Sequence, residues 1–159
     1  MLADRVRGWR WSRVDAIHLT LRFLGDVDAD RDVVARRGWA RAVRGHGPFE
    51  LRLGSLGSFP ERGRPRILWA GIERNPALVA LASSLESAAR DVGFADETRE
   101  FRPHLTLARA RRGKRAALPK EVFAALVAPA FAVSELILFQ SVLHSGGARY
   151  TALERYRLG

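Results

Sequence analysis

Two short stretches carry the residues best suited to chemistry, His18-Leu19-Thr20-Leu21 and His104-Leu105-Thr106-Leu107. With so few His and Thr in the chain, a His-x-Thr arises by chance about 0.1 times, and two copies flanked by leucines far less often. In a β-strand, side chains two apart project from one face. Each motif would therefore present an imidazole and a hydroxyl together while its leucines turn to a core. Two such strands facing each other across a groove would gather two imidazoles and two hydroxyls around one space. That set suits acid-base chemistry on a phosphate. One imidazole can take the proton of an attacking group, the other can protonate the departing oxygen, and Thr20 and Thr106 can bond the non-bridging oxygens. Because the motifs are nearly identical, the residues alone leave open which histidine is acid and which is base.

Composition narrows the alternatives. The chain has no cysteine, which excludes disulfides, thiol nucleophiles and Cys-based zinc or iron–sulfur sites. Its four histidines show no HExxH-type spacing, so neither a metal site nor another cofactor is expected. Lys+Arg total 27 against 17 Asp+Glu, a formal charge of +10 that favours a polyanionic partner and salt-sensitive binding. Only Lys114 and Lys120 are lysines. That preference for arginine reads as GC-rich coding, which does not explain the excess over acids. The longest apolar run, around Ala124–Ala132, contains Pro129 and is too short to span a bilayer, and the N-terminus lacks a signal-peptide apolar region. A cytoplasmic, membrane-free monomer is expected.

The elements that must position the motifs can be read in order. Met1–Asp15 reads as a short helical or irregular lead-in, and a first strand is predicted over about Ala16–Leu24, stopped at Gly25-Asp26. Val33, Val34, Trp39, Ala40 and Val43 form an imperfect helical stripe between Asp28 and Arg44. Phe49, Leu51 and Leu53 alternate as in a strand. Gly54–Phe59 reads as a connection leading into a long basic loop, with Arg66–Ile72 as the second strand of a hairpin. Asn75 as N-cap, Pro76 at the first helical position, a face of Leu78, Leu81, Leu85, Ala88, Ala89 and Val92, and Gly93 as the stop predict a helix. The second motif lies on a strand over Phe101–Ala110, followed by a basic run, Arg111 to Arg115, that reads as a solvated loop. A short helix is predicted over Pro119–Ala128, then a strand pair, Phe131–Leu143 and Ala148–Leu158, joined through Ser145-Gly146-Gly147. His46 and His144, beside glycines and without a partner Thr, read as surface loop residues. The order β-α-β-β-α-β-α-β-β indicates an α+β fold with largely antiparallel sheet. Each motif strand is followed by a helix and a strand pair, the internal repeat expected of two lobes related by a pseudo-twofold axis.

His18-Leu-Thr-Leu-Arg-Phe-Leu-Gly25, Arg66-Ile-Leu-Trp-Ala-Gly-Ile72, Arg102-Pro-His-Leu-Thr-Leu-Ala-Arg109 and the closing Ser141-Val-Leu ahead of Tyr150 together resemble the 2H phosphoesterases, and within them the RNA 2′,3′-cyclic phosphodiesterases, or LigT-like 2′-5′ RNA ligases. The resemblance runs from Trp9 onward. It implies a single bilobal domain over residues 1–159, with two largely antiparallel sheets flanking a central cleft, helices outside and no metal. It also implies hydrolysis of RNA 2′,3′-cyclic phosphate ends, such as those of tRNA halves, to a 2′-phosphate, with His18 as proton donor and His104 as proton acceptor, and reversible 2′-5′ joining as a related activity. The family pattern adds Arg109 as a phosphate ligand. Arg109 lies five residues beyond His104, so it reaches the motif face only if the strand ends or bulges near Ala108. Arg22, on the face of Thr20 in a regular strand, could line the groove, and Trp69, Phe101 or Tyr150 could stack on a base. The family usually carries an apolar strand and helix ahead of the first motif, whereas seventeen residues precede His18 here and read as neither. Two other functions remain open: an RNA-end-binding module with little turnover, and a phosphodiesterase acting on another cyclic phosphate.

Overall fold

The computed structural model describes residues 7–113, 116, 128–144 and 147–159. The chain divides into two compact units, one holding residues 1–20, 52–73 and 102–130, the other residues 21–51, 74–101 and 131–159. The predicted helix over Pro119–Ala128 and the turn at Ser145-Gly146 fall outside the described residues.

The first unit is built on an antiparallel sheet of four strands: β1 (Trp9–Trp11), β3 (Leu53–Phe59), β4 (Ile67–Ile72) and β5 (His104–Ala110), in the order β1-β5-β4-β3. Its core lies on one face of the sheet. Trp9, Leu56, Leu68, Ala70 and Ala108 are buried there with Ala116, and Trp11, Leu105, Leu107 and Ala110 pack against them. Two sequence expectations are corrected here. The lead-in contains a strand, Trp9-Arg10-Trp11, whose tryptophans alternate into the core, a pattern too short to stand out in the sequence. Gly54–Phe59, read as a connection, is strand as well. Glycine normally marks a turn, but at Gly57 it makes room. A Cβ there would lie 2.1 Å from the Trp69 ring, which occupies that space against β3.

The second unit holds α1 (Ala29–Val43), α2 (Pro76–Asp91), and the strand pairs of β2 (Phe49–Leu51) with β6 (Phe131–Val133) and β7 (Glu135–His144) with β8 (Gly147–Arg157). The sequence predicts a hairpin of the Phe49–Leu53 strand with Arg66–Ile72. β2 pairs instead with β6, Phe49 opposite Val133, while β3 takes β4 as its partner. Alternation marks a strand but carries no information about a partner so distant in sequence. α1 starts at Asp28, whose carboxylate accepts from the Arg31 N–H at 2.8 Å, and α2 starts at Asn75, whose side chain accepts from Leu78 N–H at 3.0 Å and donates to the Glu50 carbonyl at 2.9 Å. Leu78, Leu81, Leu85 and Ala89 form the buried stripe of α2. All but Leu78 join Ala35, Trp39, Val43, Phe94, Tyr156 and Leu158 in the unit's core. The chain leaves α2 through Gly93 at φ +84°, a left-handed conformation that favours glycine. His46, expected on the surface, is half-buried, its Nε2 2.9 Å from the Ser84 hydroxyl. None of the described helices is long and apolar enough to cross a membrane.

Arg22 is a further correction. Regular alternation beyond Thr20 would have set it beside the first motif, but the backbone bends at Leu21 and Arg22 enters the second unit. There Nε meets Glu86 at 3.0 Å, Nη1 lies 4.0 Å from Glu97, and Nη2 donates to the Ala95 carbonyl. Its side chain is 11% exposed. Through these partners Arg22 ties the segment after the first motif to α2. Glu97 is gripped by its neighbours in turn. Arg99 donates Nε and Nη2 to its two oxygens at 2.9 and 2.7 Å, and the Arg99 N–H adds a third bond. These bonds, with a smaller contribution from Arg22, hold the Glu97 carboxyl down at about 2.

Arg22→Met should destabilise the fold by about 1–3 kcal/mol, the usual loss for charged hydrogen bonds, measured by urea unfolding, while leaving the catalytic rate intact. Because Glu97 has a lowered folded-state pKa, its contribution to stability is fully present above the ordinary glutamate value and is lost as pH falls through about 2. Glu97→Gln should therefore flatten the dependence of the urea midpoint on pH between about 4.5 and 2.

Candidate active site

β5 carries the second motif, and the first motif joins it through one antiparallel bridge, Leu19 opposite Leu105. The strand expected over Ala16–Leu24 is thus reduced to an extended segment held at a single rung. The bridge sets the neighbours: His18 falls opposite Thr106 and Thr20 opposite His104, with all four on the face opposite the leucines. Directly opposed Cβ atoms in such a pair lie about 4.5–5.5 Å apart and diagonal neighbours about 7–8 Å. The two imidazoles are the diagonal pair. His18, His104 and Thr106 are partly buried and Thr20 is exposed.

Both rings are oriented the same way. His18 Nδ1 donates to the Ala16 carbonyl at 2.9 Å, and His104 Nδ1 donates to the Arg102 carbonyl at 2.7 Å, in each case the carbonyl two residues back. A carbonyl only accepts, so the proton of each neutral ring sits on Nδ1, and Nε2 is the nitrogen that can take up or release a proton. This repeated bond fixes tautomer and ring direction together.

A bulge then brings in an arginine. Leu68 pairs with Ala108, yet Trp69 pairs with Thr106, so β5 carries one extra residue between them. Leu107 and Ala108 both turn to the core, the alternation shifts by one, and Arg109 emerges on the face of His104 and Thr106. This is the irregularity that the sequence required for Arg109 to approach the motif. Its side chain is exposed opposite Ile67.

The sequence undervalued one feature. Phe59 meets the His104 ring edge-on, 5.2 Å between centroids at 81°, and Trp69 lies 6.0 Å from it at 55°. Phe59 and Trp69 also meet each other, 5.2 Å between centroids with the rings tilted at 36°. Aromatic residues in strands are usually core, but Trp69 projects to the motif face, and the signal available in the sequence was the pair of glycines that accommodates it. A Cβ at Gly71 would lie 3.2 Å from its ring, and Gly57 stands directly opposite it. Tyr150 belongs to β8 in the second unit, opposite Ser141, its ring 6.2 Å from Phe139 in a T-shaped contact. Of the residues singled out in the sequence, His18, Thr20, His104, Thr106 and Arg109 come together in the first unit, while Arg22 and Tyr150 lie in the second.

A profile of the 2′-5′ RNA ligase superfamily matches residues 5–144. The chain belongs to this superfamily. Among its relatives, an RNA 2′,3′-cyclic phosphodiesterase of Escherichia coli K12 is 35% identical over 145 residues, 91% of this chain and 77% of that protein. One of Geobacillus stearothermophilus is 35% identical over 133 residues, 82% of this chain but 42% of the relative's length. Two solved structures share the fold. A Thermus thermophilus protein superposes with a TM-score of 0.83 at 28% identity, covering 96% of this chain and 83% of that one. E. coli LigT complexed with 3′-AMP gives 0.77 at 32%, covering 95% and 82%. The superfamily assignment and these superpositions agree with the α+β fold of antiparallel sheets expected from the sequence.

The indole over Gly57 generates a prediction. Gly57→Ala should push Trp69 off β3 and destabilise the protein by about 1–3 kcal/mol, a fall in Tm of roughly 2–4 °C per kcal/mol, read by calorimetry.

Proposed function

We propose that this chain hydrolyses the 2′,3′-cyclic phosphate end of RNA to a 2′-phosphate, using His18 and His104 as the acid and base. The observation that carries the reading is the crossed pairing set by the Leu19–Leu105 bridge, which puts each histidine opposite the other motif's threonine, with both Nδ1 atoms bonded to backbone carbonyls. The names of the relatives support the substrate. Those of E. coli and Geobacillus stearothermophilus are RNA 2′,3′-cyclic phosphodiesterases, and E. coli LigT has been solved with 3′-AMP, ATP, NADP+ and phosphate.

The steps follow from the groups. His104 Nε2 takes a proton from a water molecule as the water oxygen attacks phosphorus. The bond from phosphorus to the 3′-oxygen breaks, and His18, protonated at Nε2, gives that oxygen its proton. The phosphate stays on the 2′-oxygen. Displacement at phosphorus places nucleophile and leaving group on opposite sides, which a diagonal pair of imidazoles suits. Thr20 and Thr106 donate to the non-bridging oxygens as their charge builds, and Arg109 supplies a positive charge at the same phosphate. When a 5′-hydroxyl RNA end replaces water, the same displacement yields a 2′-5′ linkage. The excess of basic residues favours the polyanionic substrate.

An oligonucleotide ending in a 2′,3′-cyclic phosphate, incubated with the protein in EDTA, should be converted to the 2′-phosphate isomer with a bell-shaped pH–rate profile. His18→Ala and His104→Ala should each lose at least about a hundredfold in kcat. Binding without turnover by the unmutated protein, or near-full activity in either variant, would overturn the reading.

A further inference from the structure

We infer that Phe59 is a positioning residue for His104: the end of β3 turns back across the sheet and holds the imidazole at the angle from which Nε2 reaches the attacking water. The inference rests on the proposed function, in which His104 is the base.

The bond from Nδ1 to the Arg102 carbonyl sets which way the His104 ring faces. It is one contact on one edge of the ring, and the outer torsion of a histidine is broad, so how closely Nε2 is held depends on what lies beside the ring. Two other rings lie there. Phe59, Trp69 and His104 form a closed triangle, with centroids 5.2 Å apart for Phe59–Trp69, 5.2 Å for Phe59–His104 and 6.0 Å for Trp69–His104. The edge-on approach of Phe59 at 81° is an arrangement that aromatic pairs favour. Trp69 is itself seated at Gly57 and Gly71, where a Cβ would meet its ring at 2.1 and 3.2 Å, so the sheet backs Phe59 through the indole.

This contact does not follow from the ladder. Phe59 stands opposite Ile67 and His104 opposite Gly71, four residues further along β4, so strand pairing alone would keep the two apart. The chain after β3 closes the gap. Glu61 pairs with Arg102, and the Arg102 carbonyl is the acceptor of the Nδ1 bond. The same turn therefore touches both the ring and the residue that tethers it. Glu61 and Arg102 are exposed, so their ion pair adds little energy, but it marks where the turn runs. Phe59 is half-buried with two rings already packed on it, which suits a wall for the imidazole better than a platform for a nucleobase. A base whose Nε2 wanders keeps its affinity for substrate but is less often aligned with the water, so the loss belongs in kcat rather than KM.

The test uses two oligonucleotides of one sequence, ending in adenosine or uridine 2′,3′-cyclic phosphate. Phe59→Ala should lower kcat by about tenfold or more on both, with KM little changed, and Phe59→Tyr, which keeps the ring, should restore most of the rate. Circular dichroism melting establishes that the variants are folded. If Phe59→Ala does not fold, Phe59→Leu, which keeps apolar volume, takes its place. Nitrogen NMR of labelled histidine reads the ring without turnover. With the ring neutral, the unmutated protein should show His104 as the Nδ1–H tautomer, and Phe59→Ala should move both nitrogens toward the values of a ring exchanging between tautomers. A loss that falls on KM, or that differs between the adenosine and uridine ends, would assign Phe59 to the nucleobase and overturn the inference. Unchanged kcat or unmoved nitrogen signals in a folded variant would overturn it too, while leaving the proposed function standing. If the unmutated protein hydrolyses neither oligonucleotide, the proposed function fails, and the nitrogen signals then decide the positioning role by the same criterion.

Discussion

The pairing of Leu19 with Leu105 is the constraint on which the candidate site depends. Each motif alone offers one imidazole and one hydroxyl, too few to serve both sides of a phosphorus atom. The bridge combines them, and because it is antiparallel it crosses them, so that each histidine faces a threonine of the other motif. A parallel pairing would put each threonine opposite the other threonine and leave the histidines side by side. The leucines that form the rung point away from the chemistry, and Leu105 packs into the first unit's core. Burial of apolar surface on one face therefore holds the polar quartet on the other, at about 25 cal/mol per Å² of apolar area removed from water.

The same division of faces governs the rest of the first unit. Trp9, Leu56, Leu68, Ala70 and Ala108 fill one side. The other side carries Arg10, Thr106, Arg109, Trp69 and Gly57. A strand without a bulge would have sent Ala108 to the motif face and Arg109 into the core, where an unpaired guanidinium is prohibitive. The extra residue at Leu107 avoids that outcome and fills the core with two consecutive apolar side chains. Glycine at positions 57 and 71 has a parallel effect on β3 and β4. Removing Cβ lets a large indole lie against the sheet and border His104 without displacing the backbone.

Legibility in the sequence followed the range of each determinant. The two His-x-Thr motifs and their shared face were readable because strand alternation is local, and α2 was readable because Asn75, Pro76 and Gly93 mark its ends within a few residues. The need for a bulge before Arg109 was also visible, since it follows from counting alternation. What was not readable depended on distant partners. β2 pairs with β6 rather than its neighbour, and β1 is a three-residue strand defined only by β5. Extending alternation past Thr20 sets Arg22 beside the motif, but one bend at Leu21 sends it to Glu86 and Glu97. Gly54–Phe59 conceals its strand for a related reason. Glycine signals a turn only when the need is conformational, and Gly57 answers a need for space created by Trp69, twelve residues later.

The near-symmetry of the motifs raises the question of how two identical groups come to act differently. Each ring is tethered through Nδ1 to the carbonyl two residues back, so tautomer and tether do not distinguish them. The surroundings do. His104 opens β5, an inner strand of the sheet, with Phe59 edge-on and Trp69 beside it, so aromatic rings border its imidazole. His18 lies on the outer segment of the ladder, joined to the sheet by a single rung and beyond reach of β4's pairing. A ring that must aim at a water molecule benefits most from confinement, because the nucleophile is not held to the substrate by a covalent bond. The leaving oxygen is so held, and a less confined acid can follow it. The sheet thus breaks the symmetry of the repeat through strand position, which in the proposed mechanism sets the base on the inner strand and the acid on its edge.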